Sequence, residues 1–119
     1  TRFPAVPPDY FPTIMDALGI QRKDRRPMDG VSLMPVINSQ SEKRNSRIGF
    51  QHGKQKAWIG DRFKIYRNRQ ANWELYDLLQ DPSEATDLAS SKPDLVKQLT
   101  KQFEKWADSC AKSSRGADY

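Results

Sequence analysis

The sequence predicts an α+β fold: a four-stranded antiparallel sheet covered by a long C-terminal helix, with a further helix near the N-terminus. Three observations carry this prediction. Residues 47 to 77 hold four short alternating segments broken by turn residues. Leu95, Leu99, Phe103, Trp106 and Cys110 recur at spacings of four, four, three and four. Phe11, Ile14, Met15 and Leu18 fall at i, i+3, i+4 and i+7. A period of two marks half-buried strands, and a period near 3.6 marks one apolar face of a helix.

The elements follow in order. Pro4, Pro7 and Pro8 make Thr1–Pro8 an extended lead-in. Asp9 is expected to N-cap a helix over 9–18. Pro12 lies in its first turn, where a missing N–H costs nothing, and Gly19 closes it from the C′ position. Gln21–Asp29 reads as a charged loop. Ser32 is placed to cap a short helical turn through Met34–Ile37, and Asn38–Ser46 is polar loop. Arg47–His52 is the first strand. Lys56–Ile59 and Arg62–Arg67 flank Gly60-Asp61, expected to be a two-residue hairpin turn. That register sets Trp58 opposite Phe63 and Lys56 opposite Ile65, and gives Trp58, Phe63 and Ile65 one core face.

Trp73–Asp77 is the fourth strand. Asp81-Pro82 stops it, and Asp81 with Glu84 has the spacing of a capping box, so a capped helix start is expected there. Leu88 is the apolar residue that would tie this turn to a core. Ser91 or Lys92 then caps the last helix, expected over 92–112, with Pro93 near N1; Ser113–Tyr119 should fray. Each large side chain buried on its stripe contributes roughly 1.5–3 kcal/mol, enough to dock a helix on a small sheet.

At 119 residues the chain is one domain by length, with an apolar fraction of 36% and so a modest core. No apolar run could span a membrane. The start has no initiator Met and no apolar leader, so the chain is expected to be a fragment or excised domain. One cysteine, Cys110, rules out an internal disulfide. Net charge is +5, and between Lys43 and Arg69 nine basic residues face one acid, Asp61. With Phe50, Trp58, Phe63 and Tyr66 among them, base stacking is one reading. The register turns Trp58 and Phe63 toward the helix and no nucleic-acid motif is present. A solvated basic face is therefore preferred, a surface for polyanionic carbohydrate second, and nucleic acid last.

Three motifs then stand in order. Asp9-Tyr10-Phe11-Pro12-Thr13-Ile14-Met15-Asp16-Ala17-Leu18-Gly19-Ile20 comes first, Asp29-Gly30-Val31-Ser32-Leu33 second. Glu74-Leu75-Tyr76-Asp77-Leu78, Asp81-Pro82, Glu84 and Leu88-Ala89 form the third. Together they resemble the C-terminal region of the type I sulfatases, the arylsulfatase family; Asp87 departs from that pattern, which usually has Asn. The resemblance implies that residues 1–46 are the tail end of a sulfatase catalytic domain, with helix 9–18 at its edge. It makes residues 47–119 the C-terminal subdomain. It implies a parent that hydrolyses sulfate esters with a formylglycine and calcium, in the periplasm or secreted, with a sulfated substrate.

The fragment itself is expected to be structural and inactive alone. Formylglycine arises from Cys or Ser in C/S-x-P-S-R, and Cys110 lacks that context. It is expected to be a buried core thiol on the last helix. Asp9, Asp16, Asp29 and Asp81 have structural roles as caps or turns, so no catalytic and no metal-ligating residue is assigned. His52 is the sole histidine and sits on a strand end. It is the candidate for a cleft wall shared with the catalytic domain, with Gln51, Lys54 and Lys56 as companions in substrate binding. The partners expected are the catalytic domain and, through the exposed apolar face of helix 9–18, a second copy of the chain; no membrane is implied. The rival reading is a free-standing basic module for sulfated polysaccharide or other polyanions.

Overall fold

The chain folds as two units, one ending at Asn45 and one beginning at Ser46. The computed structural model describes residues 3–23 and 28–116. The expected loop Gln21–Asp29 and the fraying end Ser113–Tyr119 lie partly outside those residues.

In the first unit, Pro7–Asp9 forms a 3-10 turn where an extended lead-in was expected, and it runs into α1, Tyr10–Ala17. Gly19 ends α1 as anticipated. At φ +65° its N–H donates to the Asp16 carbonyl (3.0 Å), and the Ile20 N–H donates to the Met15 carbonyl (2.9 Å). Asp9 makes no side-chain cap bond. Its carboxylate instead accepts from the Val6 N–H at 2.8 Å, the Val31 N–H at 2.9 Å, and Arg44 Nη1 and Nη2 at 2.6 and 2.8 Å. Asp9 is fully buried and Arg44 nearly so. The expected cap thus anchors the adjoining lead-in and two distant segments, at Val31 and Arg44. A lone buried charge is costly, and the bidentate guanidinium meets that cost.

Two hydroxyls extend this lattice. Thr13 Oγ1 donates to the Asp9 carbonyl and accepts from the Leu33 N–H. Ser32 Oγ donates to Asp16 at 2.5 Å and accepts from the Met34 N–H at 3.2 Å, at the start of α2, Met34–Ile37. Gly30 must be glycine, because a Cβ there would sit 2.0 Å from the Pro8 carbonyl oxygen. Asp29-Gly30-Val31-Ser32 is therefore a packing motif.

The second unit holds β1 (Ile48–His52), β2 (Gln55–Ile59), β3 (Phe63–Arg67) and β4 (Trp73–Asp77), antiparallel in the order β1-β2-β3-β4. The amphipathic helix α3, Pro93–Ser113, covers one face. Trp58, Ile65, Leu75, Leu99 and Phe103 form the buried cluster, with Phe63, Trp73, Leu95 and Trp106 packed against it. Phe103 meets Trp58 and Trp73 edge-on, with ring centroids 6.2 and 5.8 Å apart. Gly49 lies beneath Trp106, whose ring carbons would be 2.6 Å from any Cβ there.

The β2–β3 register differs from expectation. Trp58 pairs with Ile65 and Lys56 with Arg67, so the turn is Asp61-Arg62, with the Gly60 N–H donating to the Phe63 carbonyl. The physical reason lies at Gly60, where the Arg47 guanidinium fills the space a Cβ would need and donates to the same carbonyl at 3.3 Å. Gly60 is thus used for close approach and not as a turn centre. The turn centre moves by one residue on the chain and parity is kept, so Trp58, Phe63 and Ile65 still share the core face.

The segment after β4 also departs from expectation: no helix starts at Asp81. Its carboxylate accepts from Ser83 Oγ (2.7 Å) and the Thr86 N–H (2.8 Å) in a closed turn. Glu84 takes φ +55° and reaches across to Lys64 Nζ at 2.6 and 2.8 Å. A carboxylate drawn away to that lysine cannot reach back to a cap. Asp87 Oδ1 then accepts from the Leu75 and Ala89 N–H groups, and the Leu88 N–H donates to the Leu75 carbonyl at 2.8 Å. Leu88 packs against the core, as anticipated.

Candidate functional site

The β1–β2 hairpin carries every residue proposed from sequence for substrate binding. Gly53 supplies φ +56° in its turn, and His52 pairs with Gln55, Gln51 with Lys56. Strand alternation divides the three candidates on the strands between two faces. Gln51 and Lys56 lie on the α3 side, where Lys56 Nζ sits 5.3 Å from the Phe103 ring centroid. His52 lies on the opposite side and is exposed, and Lys54 is exposed in the turn. The hairpin brings the four close in sequence and register but not onto one surface.

Much of the basic stretch is engaged internally. Arg44 holds Asp9, Arg62 holds Asp77 at 2.8 Å, and Lys64 holds Glu84. Arg47 packs over Gly60, and Arg67 lies 6.0 Å from the Trp73 ring centroid. Lys43, Lys54 and Arg69 are exposed. A charge run in sequence is here largely a set of side chains that knit turns to strands.

The sheet face away from α3 joins Phe50 and Tyr66, weighed from sequence only for base stacking, to Gln55, Ala57 and Glu74, which sequence reasoning passed over. Register places Phe50, Ala57, Tyr66 and Glu74 in one row, with His52 and Gln55 in the next. Gln55 Nε2 donates to the Tyr66 hydroxyl. Glu74 accepts from Asn68 Nδ2 (2.8 Å) and the Tyr76 hydroxyl (2.9 Å). Burial first, and the Glu74 carboxylate second, push the Tyr76 phenol up to about 12. Phe50 is 50% exposed, a large apolar side chain left open beside Ala57. The Gly53-Lys54 turn is the signal that pairs Phe50 with Ala57 and His52 with Gln55, whereas Tyr66 and Glu74 join through the β2–β3 and β3–β4 registers.

Cys110 is half-buried and not fully buried as expected, and it lies on α3 without the Pro and Arg of C/S-x-P-S-R. Among the described residues no group of three or more His, Cys, Asp or Glu side chains could hold a metal. Asp77 and Asp81 are spent on their own turns. Arg62 and nearby N–H groups hold the Asp77 carboxyl below the usual carboxylate range; Ser83 and the Thr86 N–H do the same for Asp81. The donor set among the described residues does not fit a calcium site. Among the described residues no helix is long and apolar enough to cross a membrane.

No protein-family model and no curated protein sequence matches the chain. Solved structures do. Ps i-CgsB, solved alone and with k-i-k-neocarrahexaose, matches at a TM-score of 0.71 and 23% identity, over 82% of this chain and 23% of that one. BT1596, a 2-O GAG sulfatase, matches at 0.66 and 20% identity, over 91% of this chain and 26% of that one. The phosphonate monoester hydrolase of Agrobacterium radiobacter matches at 0.55 and 20% identity, over 85% and 24%. The chain spans about a quarter of the length of these structures. Its sheet, covering helix and N-terminal helix together have a fold shared with sulfatases.

Proposed function

We propose that this chain is the C-terminal subdomain of a sulfatase, supporting a larger catalytic domain and forming one wall of its substrate cleft. The observation that carries the reading is the fold match, which takes in most of this chain but only about a quarter of the matched enzymes. The three ordered motifs agree with it. The parent hydrolyses a sulfate ester, with its formylglycine and calcium held by residues outside this chain. His52 and Lys54, exposed at the hairpin tip, stand at the cleft wall, where positive charge raises the local concentration of an anionic substrate. Gln51 and Lys56, on the other face, set the hairpin's position over α3. The parent works in the periplasm or outside the cell.

The exposed face of α1, with Phe11, Ile14 and Leu18 each more than half exposed, packs on the catalytic domain. In the isolated chain it pairs with a second copy. The decisive test is the full gene. An upstream C/S-x-P-S-R, together with turnover of an aryl sulfate by the joined protein and none by the 119-residue chain, supports the proposal. An upstream region without that motif, turnover by the chain alone, or preference of the joined protein for a phosphonate monoester overturns it. His52→Ala in the joined protein should lower kcat/KM roughly tenfold.

A further inference from the structure

The sheet face away from α3 ends, at the β1–β2 turn, in a small aromatic platform with a cationic rim. Phe50, Ala57 and Tyr66 are register neighbours across three strands, so the small Ala57 leaves a shallow dip between two rings. Phe50 is half exposed, which no packing need of this unit explains. The next row toward the turn is His52 and Gln55. The Gln55 amide is fixed by its donation to the Tyr66 hydroxyl, so its orientation is set in advance of any ligand. Lys54 projects from the turn itself, and no acidic residue occurs between Lys43 and Gly60. At the other end of the aromatic row Glu74 is already occupied by Asn68 and Tyr76. Lys64 near the Tyr66 ring is held by Glu84. The uncompensated positive charge of this face is therefore at the Lys54 end.

We propose that this platform binds one sugar ring of a sulfated saccharide. The apolar face of the ring lies on Phe50 and Tyr66, and its sulfate points toward His52 and Lys54, with Gln55 taking a ring hydroxyl. The chemistry is that of small-ligand sites in general: an apolar floor with a few fixed polar groups. A neutral sugar would use the floor but not the rim. A nucleotide could also stack on the rings and place its phosphate at Lys54, so the oligonucleotide is a direct competitor in the test. The choice of a sulfated sugar rests on the sulfatase reading above; the placement of the platform does not.

The test is an amide chemical-shift titration of the 119-residue chain with a heparin-derived disaccharide, its desulfated counterpart and a single-stranded oligonucleotide. The expected result is shifts at Phe50, His52, Lys54, Gln55, Ala57 and Tyr66 with the sulfated sugar. Phe50→Ala should weaken binding roughly tenfold, the loss of one stacking surface, and Lys54→Ala should weaken it similarly. The exposed position of both side chains leaves the fold intact, which shift dispersion verifies. Shifts at Gln51 and Lys56 instead, no shifts at all, equal response to the desulfated sugar or the oligonucleotide, or unchanged affinity in Phe50→Ala each overturn the proposal. Binding by the chain alongside a joined protein with no sulfate-ester turnover would overturn the enzyme reading and leave the platform standing.

Discussion

At the scale of single residues, the buried pair of Asp9 and Arg44 governs the N-terminal unit. Burial alone would raise the Asp9 carboxyl; Arg44 and the N–H groups of Val31 and Val6 outweigh it, and the net direction is down. A carboxyl lowered in the folded state contributes stability that is complete above its unfolded value. That stability is lost as pH falls through its own lower one. Arg44→Met should cost about 3–5 kcal/mol, because it strands a buried carboxylate. It should also remove the loss of stability that Asp9 contributes on acidification, because without Arg44 burial raises the carboxyl and its protonation relieves the stranded charge. Hydrogen exchange of α1 against pH reads both effects. Tyr76 gives the alkaline counterpart. Its phenol is raised from 10.0 to about 12, so its stabilisation is complete below pH 10 and is lost as pH climbs toward 12. Absorbance at 295 nm should show this tyrosine ionising late and together with unfolding; Tyr76→Phe should remove that late step.

At the scale of elements, α3 and the sheet depend on one another through Phe103. Phe103→Ala should destabilise by about 3–5 kcal/mol, a large share of the roughly 5–15 kcal/mol available to a small domain. Gly49→Ala should cost about 1–3 kcal/mol, since the new methyl must displace Trp106. Urea denaturation followed by tryptophan fluorescence measures both. The elements were largely legible in the sequence: β4 was read with its observed bounds, and α3 within a residue at each end. Their signal is local, because periodic apolar residues dictate which face is buried. What misled was local geometry with two solutions. Asp81 and Glu84 have the spacing of a capping box, but Lys64 lies twenty residues away and takes the glutamate. Gly60-Asp61 reads as a turn, but Arg47 needs the space at Gly60. Asp9 does stand at the N-cap position of α1, but its carboxylate is taken by Arg44 thirty-five residues on. The candidate site was half legible for the same reason. His52 and Lys54 stood out as types, whereas Phe50, Gln55 and Tyr66 join them only once the β1–β2 and β2–β3 registers are known.

At the scale of the whole molecule, the exposed face of α1 predicts association. The isolated chain should run as a dimer in light scattering at micromolar concentration, and Ile14→Ser with Leu18→Ser should return it to a monomer without loss of helicity. A monomer in both forms would count against pairing through this face. The loop after β4 has a different consequence at this scale. Asp87 and Leu88 occupy both backbone groups of Leu75, and the Asp81 N–H takes the Asp77 carbonyl. These bonds lie on the outer edge of the last strand, so the sheet cannot be extended there. Any strand-by-strand polymerisation must begin at β1, and a molecule with one receptive edge can join only one other. Misassembly of this unit through its sheet is therefore self-limiting at two copies, and an open-ended fibre would require Asp87 and Leu88 to be stripped away first.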